Sequence, residues 1–190
     1  MRRVIGVLTT IILVGLQISI VYADENNDIK KHPGYVNFDE IDIPGDAEET
    51  VEVNIKGPLL KLVSMVTEKE DPALSKMLAR LLMVRVNTFS IDPKIARELK
   101  PKVQKIEKQL EKQRWEKIVR VKSKDEHVNI YIKFDKKDRM AGLVVMAIED
   151  NDEAVFVNIV GELDWKQISK LGKKFDIDEL EGLSEKEKPH

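Results

Sequence analysis

The side chains able to do chemistry are few and scattered. Histidine occurs at His32, His127 and His190 only, and no two of these stand at the i,i+4 spacing that brings imidazoles together on one helix face. A metal centre needs several convergent ligands, so these positions predict no metal site. Asp125-Glu126-His127 sets two acids beside an imidazole, the raw material of general acid–base chemistry, but the run falls where a hairpin turn is expected and reads as turn chemistry. Glu149-Asp150-Asn151-Asp152-Glu153 offers oxygen ligands for calcium, yet lacks the glycine and the distal glutamate of an EF-hand loop. Ser64, Ser75, Ser90, Ser123 and Ser169 have no G-x-S-x-G elbow around them, and the glycines occur singly rather than in a phosphate loop. The absence of cysteine excludes disulfides, thiolate nucleophiles and cysteine-rich zinc sites. The expectation is a non-enzymatic protein with no catalytic residues, no metal and no cofactor.

Composition narrows the field further. The chain has 190 residues, 42% of them apolar, enough for one core and scarcely for two. Its 32 basic and 34 acidic residues nearly cancel, which argues against a nucleic-acid partner. Arg2 and Arg3 precede an apolar run from Val4 to Val21, and Val21-Tyr22-Ala23 supplies modest side chains where a signal peptidase reads. Thr9, Thr10, Gln17 and Ser19 weaken that run as a membrane span. Residues 1–23 therefore read as a cleaved signal peptide, and the mature protein as exported to the periplasm or beyond, with no stable membrane anchor.

The elements that must position any site follow from periodicity. Residues 24–50 read as an extended acidic arm punctuated by Pro33-Gly34 and Pro44-Gly45, residues 51–177 as a single domain, and residues 178–190 as a flexible charged tail. Val51, Val53 and Ile55 alternate with polar residues as in a half-buried strand. Leu59, Leu62, Val63 and Val66 recur at helical spacing, and Leu74, Met77, Leu78, Leu81 and Leu82 do so after Asp71-Pro72, a cap followed by a first-turn proline. Val84 to Ile91 reads as a strand, and Asp92-Pro93 opens a long charged helix whose stripe is Ile95, Leu99, Val103, Ile106 and Leu110, with Pro101 predicting a kink or a restart. Four strands joined by short turns come next, from Trp115 to Lys122, Val128 to Phe134, Leu143 to Ile148 and Val155 to Val160, and a last helix starts at Asp164. The third of these strands is apolar on both faces and is placed centrally. The order β-α-α-β-α-β-β-β-β-α predicts a two-layer α+β fold, a mainly antiparallel sheet with helices packed on one face.

In such a fold the other sheet face stays open. Arg85, Asn87, Arg120, Asn129, Tyr131 and Lys133 alternate with the apolar strand residues and are the candidate interaction surface on it. A second possibility is a carrier of a small apolar ligand, with Trp115, Met146 and Trp165 lining a pocket between helices and sheet. The remaining methionines, Met65 among them, read as core filling.

His32-Pro33-Gly34-Tyr35-Val36-Asn37-Phe38, the Val51-to-Ile55 strand with Gly57-Pro58-Leu59-Leu60, Trp115 to Val121, Gly142 to Ala147 and Val157 to Gly161 occur in this order, and together they resemble the bacterial domain of unknown function 4252 family. The resemblance runs from His32 to Ile177. It implies a small exported or lipid-anchored protein with no established activity and no established catalytic residues. This chain departs from lipid-anchored members in having no cysteine. The expected function is an envelope interaction module whose partner is another envelope protein.

Overall fold

Three helices in this chain begin on or next to a proline, and that fixes where each preceding segment must stop. The structure is a computed structural model and describes residues 25–38, 41, 47–124, 126–149, 152–165 and 168. Its elements are α1 (Glu25–Lys30), β1 (Thr50–Lys56), α2 (Gly57–Thr67), α3 (Pro72–Leu78), β2 (Leu81–Ser90), α4 (Pro93–Lys112), β3 (Glu116–Lys122), β4 (Glu126–Phe134), β5 (Met140–Glu149) and β6 (Glu153–Leu163). The signal peptide expected over residues 1–23, the tail over 178–190 and most of the last helix lie outside the described residues. Of that helix, Trp165 is half-buried and Ile168 buried, with the Ile168 N–H donating to the Asp164 carbonyl.

Both cap-and-proline readings hold. The Asp71 carboxylate accepts the Leu74 N–H at 2.9 Å, and the Asp92 carboxylate accepts the Ile95 N–H at 2.7 Å, each satisfying a donor left open in a first helical turn. α4 runs unbroken through Pro101, so the helix does not restart there. Pro101 is exposed, and the ring sits on the solvent side, away from the buried stripe of Ile95, Leu99, Val103, Ile106 and Leu110. α4 ends in a Schellman motif: the Trp115 N–H donates to the Leu110 carbonyl and the Arg114 N–H to the Glu111 carbonyl, with Arg114 left-handed at φ 61°.

The six strands form one antiparallel sheet in the order β1-β2-β6-β5-β4-β3. The four-strand meander is as expected, and β5 and β6 are central. β2 begins at Leu81, three residues before the periodicity placed it. Leu81 and Leu82, read as a continuation of α3, belong instead to the sheet, where Leu81 pairs with Gly161 across a register shift.

The helices do not share one face. Phe89, Tyr131, Val144, Met146, Ile148, Ala154 and Phe156 pack under α4 and under Val36, Phe38 and Ile41 of the arm. Val128, Ile130, Ile132, Leu143, Val145 and Ile159 pack on the opposite face with Leu60 of α2, Met77 of α3 and Ile168. The reason is visible in β5, whose side chains alternate between the two clusters and are nearly all buried: a strand apolar on both faces needs a cover on both. The fold is α+β, with its sheet between two covering layers.

Candidate interaction surface

The six residues assigned to an open sheet face do share a face, and it is the one that α4 and the arm close. Tyr131 is 0% and Asn129 1% exposed, and Asn87 is buried as well. The Tyr131 hydroxyl donates to Glu107 of α4 at 3.5 Å, Lys117 lies 5.1 Å above the Tyr131 ring and 3.9 Å from the same carboxylate, and burial together with Glu107 and Glu111 pushes the phenol well above its usual range. Lys133 donates to the backbone carbonyls of Gln113 and Arg114, so it closes the negative end of α4, and burial lowers its pKa. Arg85 is half-buried and only Arg120 is exposed. Asn129 finds no hydrogen-bond partner for either side-chain polar atom among the described residues, and neither does the Trp115 indole N–H. Asn87, Asn129 and Tyr131 are thus a polar lining inside the molecule, and the exposed six-residue docking face read from the alternation is overturned.

The arm is fixed by a built contact. Asn158, fully buried on β6, accepts the Val36 N–H at 2.9 Å and donates to the carbonyls of Gly34 at 3.0 Å and Leu143 at 3.3 Å. Gly34 lies so close to β5 that a Cβ there would stand 2.0 Å from the Ala141 carbonyl oxygen. A Cβ on Gly142 would stand 2.6 Å from the Gly34 Cα. Both positions require glycine because two backbones touch there.

The proposed ligand pocket is also divided. Trp115 and Met146 belong to the cluster under α4, whereas Trp165 packs against the cluster on the other face. No single cavity is lined by all three, because the sheet lies between them.

The large exposed apolar surface is elsewhere, on α2. Leu60 and Ser64 face the sheet and are buried. Leu59, Leu62, Met65 and Val66 are 38%, 46%, 69% and 66% exposed, and Leu82 at the start of β2 is exposed as well. The periodic set chosen from the sequence, Leu59, Leu62, Val63 and Val66, is thus largely the outward face. α2 is apolar almost all round, and two stripes at helical spacing compete; periodicity alone does not rank them. Among these eleven residues Lys61 is the single charged side chain. Scattered exposed leucines are ordinary, but a contiguous apolar helix face is not.

Beside this helix lies β1, an edge of the sheet. Its apolar residues Val51, Val53 and Ile55 are only half-buried, and its outward backbone groups have no neighbouring strand among the described residues.

Glu126 and Glu149 stand directly opposite in the β4–β5 ladder, and burial with the nearby Asp152 and Glu149 carboxylates raises the pKa of Glu153. Among the described residues no group of three or more histidines and acids is arranged to hold a metal, and no helix is long and apolar enough to cross a membrane.

A protein-family model described as "Domain of unknown function (DUF4252)" matches residues 40–171, more than half of the chain. No curated protein and no solved structure matches.

Proposed function

The chain belongs to the DUF4252 family, which brings no activity with it, and from that premise we propose that it is an exported, non-enzymatic protein-interaction module of the bacterial envelope. The supporting observation is the outward face of α2, where Leu62, Met65 and Val66 are left to solvent in a protein that otherwise covers both faces of its sheet. Maintaining such a face costs solubility, and a partner that covers it recovers the hydrophobic term, about 25 cal/mol for each Å² removed from water. The partner class is a protein of the same compartment. Export rests on the basic start and apolar run of residues 1–23, and the non-enzymatic reading on the lack of a nucleophile–base pair in the sequence.

Two glutamates in place of Leu62 and Met65 test it. Neither residue is buried, so the double variant L62E/M65E should melt within a few degrees of the parent. Amine cross-linking of intact cells should give discrete protein adducts of the parent that the double variant loses. Adducts equally abundant in both proteins would overturn the reading.

A further inference from the structure

The two edges of the sheet are built differently. β3 carries Lys117, Arg120 and Lys122 and a register shift between Lys117 and Val119, devices that discourage another chain from pairing with an edge. β1 has no register shift and fewer charges. Its seven residues pair with β2 without a shift, contain no proline, and include Glu52 and Lys56 as their only charged side chains.

We propose that β1 docks a second copy of this chain, the two β1 strands pairing antiparallel about a two-fold axis through Val53 so that two sheets join into one. The proposal rests on the reading of this side of the molecule as a protein-binding surface and names its occupant. Self-complementarity carries it. With the axis at Val53, all seven residues pair: Val53 meets the partner's Val53, Val51 the partner's Ile55, Glu52 the partner's Asn54 and Thr50 the partner's Lys56. No like charges stand opposite one another. The apolar residues of both strands continue one face, because Val51, Val53 and Ile55 pair in β2 with Thr88, Val86 and Val84 on the side that α2 covers. An axis at Glu52 would set that carboxylate against its own copy. An axis at Asn54 would pair only five residues and leave Val51 outside the ladder. In the two-fold pair both α2 helices lie on the same face of the joined sheet, on either side of the axis.

The cysteine-free chain makes the test direct. Residues facing each other across an antiparallel pair have Cα atoms about 4.5–5.5 Å apart, within disulfide range, whereas diagonal neighbours stand about 7–8 Å apart and beyond it. The conservative variant Val53→Cys should give a covalent dimer on mild oxidation, Asn54→Cys should not, and light scattering of the parent should give twice the chain mass. A monomer at all concentrations, with no cross-link in the Val53→Cys variant, overturns the dimer. A cross-link in the Asn54→Cys variant and none in Val53→Cys overturns the register. If a photo-reactive residue at position 65 captures a different protein while the Val53→Cys variant stays unlinked, the dimer fails and the interaction reading stands; if neither links to any protein, both fail.

Discussion

Asn158 decides whether the arm belongs to the domain. Its amide satisfies one backbone donor and two backbone acceptors in a fully buried place, and the Gly34–Gly142 approach leaves no room for the arm to sit differently. Asn158→Ala strands the Val36 N–H and the Gly34 carbonyl, at about 1–3 kcal/mol for each buried group left unpaired. A lower melting temperature and faster proteolysis within residues 30–41 are expected. An unchanged melting curve would show that the Asn158 contact does not stabilise the fold.

His32 adds a pH dependence to the same contact. Its Nδ1 accepts the Gly34 N–H at 3.2 Å, and burial, only partly offset by the Asp135 carboxylate, lowers its pKa from the ordinary 6.5. The unfolded chain therefore takes up this proton before the folded one. The contact is fully present above pH 6.5 and is lost as pH falls through the lower folded value. Hydrogen exchange at the Val36 amide, corrected for its intrinsic rate, should accelerate on acidification from pH 8 to pH 5 in the parent and not in His32→Ala. Equal profiles would show that the imidazole plays no part. None of this was legible in the sequence: an isolated asparagine in a strand pattern carries no mark of what lies 122 positions away.

Among the elements, what the sequence made plain is what local chemistry decides. Asp71-Pro72 and Asp92-Pro93 place two helix starts because cap and ring act within one turn, and strand alternation places the meander because its turns are short. What it left open depends on neighbours distant in sequence. Pro101 does not end α4, whose buried stripe lies on the other side of the helix, and β2 starts early because Gly161 of β6 gives Leu81 a partner. The end of α4 had no glycine to announce it. Arg114 occupies a left-handed position at φ 61° that glycine fills more easily, so the side chain there is a small cost to stability. Arg114→Gly should raise stability by about 0.5–1 kcal/mol, seen as a rise of about 1–4 °C in melting temperature. A fall would mean that the Arg114 side chain contributes more than the backbone strain removes.

The whole molecule shows why the candidate surface was misplaced. A sheet whose central strand is apolar on both faces cannot leave one face to solvent, so the polar row of Asn87, Asn129 and Tyr131 went inside, under α4. The apolar surface that does reach water belongs to a helix with two competing stripes, and only the tertiary structure shows which one the sheet takes. That helix is where a partner protein is expected to bind. The most direct measurement places a photo-reactive residue at position 65, where the parent side chain is 69% exposed, and illuminates cells producing the full chain. Binding through α2 predicts protein adducts that vanish when Leu62 is replaced by Glu. Adducts to phospholipid alone, or none above the level of a probe at exposed Lys124, would contradict it.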